Sequence, residues 1–510
     1  MRRFFIQLLL LLALPAACFA QSAPVRKIME TARDDNRAMQ HLDILCNRFG
    51  GRLVGSDAYE NAAEWAMRSF REWGYDVEAE KVGEMAVGFN RAGWWGRMTG
   101  EENMTLHFAT PSYTSGTRGL QRGHVVAEPR TRAEFDRMKG TIKGAWVLVD
   151  SKSNGLALLH EKAAARQRQD ILDHNEQADK YNREHAGEDG EKMAKRDGVA
   201  LLYAEMVEAG ALGFVRPASV PITALYDFEV VRGNIPFDSL PVTPDILLDE
   251  EQYARIQKLV KERRRVELEF DIRNHFKIGP VPYHNIVATM KGAKHPDEYV
   301  IVGAHLDAYD VATGGVDCGS GTAAVMEAAR MIALSGAKPD RTIIFILFAG
   351  EEFGLWGSQA WIRDHEDRLP RISNMFNRDG GPMPYTSFAA PASLVKAYDK
   401  AAEPIRTLYP DYGFEVTELA PREQPTRLGG NDATSFAVKG VPTLQMGEWR
   451  DVKGYNFSYG EIWHTERDRY DKSIPEYQEQ AAAALAIMVL ATADMPVQLP
   501  RDEIYKSESK

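Results

Sequence analysis

Tyr299-Val300-Ile301-Val302-Gly303-Ala304-His305-Leu306-Asp307 sets an apolar run directly against a histidine and an acid. Residues 299–303 read as a strand buried on both faces, since no polar residue alternates with the apolar ones. The arrangement recurs. Residues 342–348 form a second apolar run, followed by Glu351 and Glu352, and residues 372–376 read as a third strand, followed by Asp379. Residues 442–446 read as a further strand. Residues 322–334 and 477–493 read as helices, so 283–495 reads as an α/β layer, a mixed sheet flanked by helices. Ligands bind open α/β sheets beyond the carboxyl ends of their strands. Alone, a Glu-Glu pair after a strand is an exposed helix start, His464 a surface residue, and Asp379-Gly380-Gly381 a turn. Three strands delivering acids and a histidine to one edge are not explained by solvation.

Outward from that layer the texture changes. Residues 32–46 and 58–72 read as amphipathic helices flanking the turn Gly50-Gly51-Arg52-Leu53-Val54-Gly55, with Gly74 placed as a C-cap. Residues 144–149 read as a buried strand. The polar stretch 160–197 reads as a solvated helical insertion, 204–210 as a short helix and 211–215 as a strand. Residues 246–270 give strand, helix, strand. This alternation predicts a small α/β module inserted in a loop.

The chain has 510 residues, enough for roughly two to four domains. A net charge of -11 disfavours a nucleic-acid partner, which calls for a basic face. Arg2 and Arg3 precede the apolar run 4–14, which is too short to span a bilayer. Cys18-Phe19-Ala20 suits cleavage after Ala20. These features predict a signal peptide over 1–20 and an exported protein, periplasmic or secreted. No later run is long enough for a membrane span. The two remaining cysteines, Cys46 and Cys318, make no disulfide framework and read as free thiols. No Gly-x-Ser-x-Gly elbow is present, which disfavours a serine hydrolase.

Amide hydrolysis needs an activated water and a stabilised oxyanion, and a pair of Zn²⁺ ions supplies both. Zinc takes imidazole and carboxylate ligands. Asp317, in Gly314-Gly315-Val316-Asp317-Cys318-Gly319-Ser320-Gly321, is a candidate bridging carboxylate. The order His305-x-Asp307, Asp317, Glu351-Glu352, Asp379, His464 resembles the bizinc exopeptidase family, which includes bacterial aminopeptidases and the glutamate carboxypeptidases. The turn 50–56, the segment 429–436 and Gly440-Val441-Pro442 are similar to further parts of that family, and the insertion resembles a protease-associated domain.

The resemblance implies a phosphorylase/hydrolase-like zinc peptidase, with the peptidase domain at 21–117 and 278–497. The protease-associated insertion would occupy 118–277, and 498–510 would be a C-terminal tail. His305 and Asp379 would hold one zinc, Glu352 and His464 the other, with Asp317 between them. Glu351 would be the general base and Asp307 would hold the His305 imidazole. The substrate would be a dipeptide or short peptide, and the assembly a homodimer. Two departures stand out. Cys318 occupies a position where the family often has a second Asp, and reads as a small filler, with metal contact as the alternative. Trp463 precedes His464 where many relatives have an oxyanion-donating Tyr, so Trp463, Tyr455, Tyr459 or the metal alone is left for that role. Arg378, Arg427 and Asn431 lie in loops suited to anchoring a substrate terminus. The other readings are an aminopeptidase of the same family, a one-zinc glutaminyl cyclase and a non-catalytic binding protein.

Overall fold

The computed structural model describes residues 22–158, 162–186, 192–448, 451–455 and 457–506. The leader peptide read at 1–20 lies outside the described residues. Among them, no helix is long and apolar enough to cross a membrane.

The single helix expected over 32–46 divides. Helix α1 spans Ala23–Asp34, α2 spans Ala38–Asp43, and a π-helical segment follows at Ile44–Phe49. Asp35 and Asn36 make the break. Asn36 accepts the N–H of Ala38 at 3.1 Å, and Asp35 is drawn off by Arg330 at 3.0 Å. Such side-chain bonds offer the backbone an alternative to the helix. Helix α3, Asp57–Glu72, starts where Ser56 accepts the N–H of Tyr59 and carries Asp57 and Glu60 in its first turn, as an N-terminus favours. It ends two residues before Gly74, whose φ of 93° is the left-handed stop expected there.

The main sheet contains β1 (Asp76–Gly100), β2 (Gln121–Ala127), β3 (Ala145–Leu148), β4 (Gly213–Ala218), β5 (Asp245–Asp249), β6 (Val266–Met290), β7 (His295–His305), β8 (Arg341–Phe348) and β9 (Ile372–Asn377). Its order runs β9-β7-β8-β6-β2-β3-β4-β5, with β1 antiparallel to β6. Strands β9, β7 and β8 are parallel, and their carboxyl ends coincide: Phe348 pairs with His305, and Asn377 with Gly303. That register puts the polar residues after all three strands on one edge.

Residues 299–304 of β7 and 343–348 of β8 are apolar without alternation because both faces are covered. Val300 and Val302 join a core with Met326 of α6 (Gly319–Leu334) and Leu485 of α7 (Pro475–Ala493). Ile301 points the other way, into a core with Ile344, Phe348, Trp361 and Phe436. The alternation is the two-residue period of a strand.

Residues 442–446 are not the ladder strand expected; only Met446–Gly447 pairs, with Ser387 and Phe388. The segment instead docks on β9 through one backbone bond, Met375 N–H to Pro442 O at 2.8 Å, and through side chains. Asn374 donates to Leu444 O and accepts from Leu444 N, and Gln445 donates to Met375 O.

Strands β2 to β5 form a parallel layer with its own cores. Trp146, Leu248 and Phe270 pack with Tyr253 and Ile256 on one face, and Val147, Phe214 and Met206 on the other. Within the polar stretch, Lys162–Glu184 is helical. Strand β6 belongs to both layers: Leu268 and Phe270 pair with β2, while Ile286 to Met290 pair with β8.

Candidate metal centre

His305 ends β7 and is almost fully buried. Its Nδ1 lies 2.9 Å from the main-chain carbonyl of Asp307, so Nδ1 carries a proton and Nε2 is the nitrogen left to face an ion. Nε2 faces Asp317 Oδ1 at 3.1 Å and Asp379 Oδ1 at 3.4 Å. The carboxylate of Asp307, expected to hold the ring, is farther, at 3.6 Å. It accepts instead from the backbone N–H groups of Gly350, Glu351 and Glu352, fixing the turn that carries both glutamates.

Asp317 offers one oxygen to each histidine. Oδ1 faces His305, and Oδ2 lies 3.5 Å from His464 Nε2. His464 Nε2 is also 3.1 Å from Glu352 Oε2. His464 sits at φ 60°, a left-handed backbone that costs free energy in a non-glycine residue. Its ring is held edge-on by Tyr309 and stacked by Trp463, with centroids 4.6 and 4.1 Å away. Two groups of donor atoms, His305–Asp317–Glu352 and His305–Cys318–Asp379, each lie within 4.8 Å of one another.

Burial pushes Glu351 up to about 11, and the nearby acids Asp379, Glu352 and Asp432 add to it. Burial likewise raises Glu352 and Asp379, and takes Asp432 to about 7. Burial alone would depress His305, but Cys318, Asp379, Asp307 and Asp317 outweigh it and hold the ring well above its usual value. Burial does win at His464, which is lowered. Asp317 resists burial and stays low, because His305, His464 and Arg52 stabilise its charge. So many buried acids cannot all ionise without cations to balance them. Glu352 Oε1 and both oxygens of Asp432 are buried without a hydrogen-bond partner. The donors and their charge therefore fit divalent ions.

Two residues outside the expected ligand set hold the centre. Asp468 accepts the N–H groups of Val316 and Asp317, at 2.6 and 3.2 Å, and so presents Asp317. Arg52, fully buried, donates to Leu306 O and Thr313 O at 2.9 Å, and to Gly50 O and Gly314 O at 3.1 and 3.2 Å. It clamps the Gly-rich turn to the loops bearing Asp307 and Asp317. The only sequence signal for either was an acid four residues after His464 and a cation inside a glycine turn.

A cavity of about 520 Å³ opens beside Asp379, walled by Asn431, Glu448, Phe457, Tyr459 and Trp463. Trp463 is 52% exposed. Tyr455 turns away, its hydroxyl on Glu476. Arg378 does not reach the cavity: it is fully buried, pairs with Glu448, and stacks on Tyr385 at 4.5 Å. Arg427 is exposed.

Residues 285–490 match the model of peptidase family M28. Over this segment, the chain is similar to peptidase family M28. The chain is 23% identical to carboxypeptidase Q of Mus musculus over 478 residues, covering 91% of this chain and 87% of that protein. It is 44% identical to a probable glutamate carboxypeptidase of Zea mays over 198 residues, which are 37% of this chain and 26% of the relative. The crystal structure of an M28 peptidase precursor from Shewanella amazonensis superposes with a TM-score of 0.57 at 20% identity, covering 93% of this chain and 97% of that one. That likeness shows the fold. Cys46 and Cys318 are buried free thiols, as read from the sequence.

Proposed function

We propose that this protein is an exported two-zinc exopeptidase that removes terminal residues from dipeptides or short peptides, in the manner its likeness to carboxypeptidase Q suggests. One observation carries the reading: Asp317 turns one oxygen to His305 and the other to His464, the disposition of a carboxylate between two ions. His305 and Asp379 would hold one zinc, and His464 and Glu352 the other. When bound, the ions polarise the scissile carbonyl and acidify the attacking water.

The chain supplies the rest. Glu351 takes the proton from the attacking water and returns it to the leaving amine. Its main-chain N–H is fixed by Asp307, so its approach is set before substrate arrives. The indole N–H of Trp463 and the hydroxyl of Tyr459 line the cavity as donors for the carbonyl oxygen. The layer of β2 to β5 serves as a protease-associated domain, as its insertion beside the cavity loops suggests. His107, preceding β2, reaches Glu466 beyond His464 at 2.8 Å.

A second reading, aminopeptidase, is favoured by Glu448. It puts a carboxylate in the cavity wall while its Arg378 partner stays buried beneath, an arrangement suited to a free ammonium.

The test compares free dipeptides, N-blocked dipeptides and amino-acid p-nitroanilides, with and without added Zn²⁺, on the wild type and Glu351→Gln. Cleavage of dipeptides that vanishes in Glu351→Gln, while zinc content stays unchanged, supports the dipeptidase reading. Preference for p-nitroanilides moves the assignment to aminopeptidase. No turnover by zinc-loaded wild type on any substrate refutes both.

A further inference from the structure

The sequence reading treated Cys318 as filler, yet its surroundings are those of a ligand. The residue is fully buried and immediately follows Asp317. It occupies the N-cap of α6, but its side chain makes no capping bond. Sγ lies with donor atoms of His305 and Asp379, the three within 4.8 Å of one another. The thiol donates a weak hydrogen bond to the Arg378 carbonyl at 3.2 Å. Space for the sulfur depends on Gly321, where an added Cβ would stand 2.5 Å from Sγ. The other described thiol, Cys46, provides a contrast. It is equally buried, donates to Gly314 O at 3.8 Å, and belongs to neither donor group.

We propose that Cys318 is a thiolate ligand of the ion held by His305 and Asp379, so that the two metal positions differ in chemistry. This rests on the two-metal reading above. One position would have a sulfur donor; the other, with Glu352 and His464, would have only nitrogen and oxygen. Zn–S is about 2.3 Å and Zn–N about 2.0 Å, so ligands of one tetrahedral zinc stand roughly 3.5 Å apart. Drawing these three atoms together requires only a small contraction. On binding, the S–H bond breaks, the sulfur lone pair forms the bond to the metal, and the proton leaves to solvent. No electron is transferred. A soft donor at one position favours zinc or cobalt over manganese or magnesium there, and leaves the other position more permissive.

The experiment loads the full chain with Co²⁺ and records its absorption. Wild type, a Cys18→Ser/Cys46→Ser double variant, Cys318→Ser and Cys318→Asp are compared, with cobalt counted in each. The expected result is a thiolate-to-cobalt charge-transfer band in the near ultraviolet for wild type and the double variant. That band should be absent from Cys318→Ser and Cys318→Asp, while their visible d–d bands persist. If both Cys318 variants fail to fold, the double variant still decides, because Cys318 is its only sulfhydryl. Two cobalt ions with d–d bands and no charge-transfer band in the double variant overturn the thiolate assignment alone. No bound cobalt overturns it together with the two-metal reading.

Discussion

Arg52→Met is expected to destabilise the protein and weaken its hold on metal together. The guanidinium is fully buried and makes three bonds of 3.1 Å or less, to Leu306 O, Thr313 O and Gly50 O. A charged hydrogen bond contributes about 1.5–3 kcal/mol net, and the carbonyls left behind are penalised for burial without a partner. Allowing for non-additivity within one side chain, the loss is about 4–6 kcal/mol. Methionine fills much of the volume, so the effect isolates the polar clamp. Arg52→Lys keeps the charge but not the planar fork, and should lose about half as much. Urea unfolding of the zinc-free protein, followed by tryptophan fluorescence, reads the stability, and equilibrium dialysis reads zinc affinity. An Arg52→Met protein that unfolds at the wild-type midpoint and binds zinc normally would refute the clamp.

Three further outcomes are expected. Glu128 lies in the β2 to β5 layer with Oε2 buried and unpartnered, and burial pushes its carboxyl up to about 8. The native state then holds a proton that the unfolded chain releases near 4.5, so stability falls as pH rises from about 4.5 to about 8, and the penalty persists above that. Glu128→Gln should remove this slope, matching wild type at pH 4 and melting higher at pH 8; parallel melting curves at both pH values would count against it. Asp468→Asn keeps one acceptor for the two N–H groups that present Asp317, and should lower zinc affinity about 10–100-fold with a small change in melting temperature. Chelation should lower the melting temperature, because zinc at about a thousand times its Kd stabilises by about 4 kcal/mol per site; calorimetry with and without chelator measures it.

The strands, and the gathering of acids and histidines at their ends, were legible where local pattern suffices. Residues 299–303 and 342–348 are unbroken apolar runs, and the acids after them had to emerge at one edge once the strands were parallel. The break at Asp35 and Asn36 was not legible, because it depends on Arg330, far along the chain. Residues 442–446 have a strand's composition, but Asn374 and Gln445 take the bonds a ladder would use. Arg52 and Asp468 were hidden for the same reason, since their partners are supplied by folding rather than by neighbours. Asp307 was found by its position, but its carboxylate holds the glutamate turn, and its carbonyl is the group nearest the imidazole.

The continuity of β6 bears on how the chain can be cut. Val266–Met290 starts as a neighbour of β2 and finishes as a neighbour of β8, and β1 runs beside it over almost its whole length. An insertion joined at two loop ends can be excised and the ends sealed. Here the excision would sever a ribbon shared by both layers and strip a hydrogen-bonded edge from β8, next to the strand that ends in His305. The two layers are thus a single mechanical unit, and a shortened chain would lose the peptidase sheet along with the layer it was meant to discard.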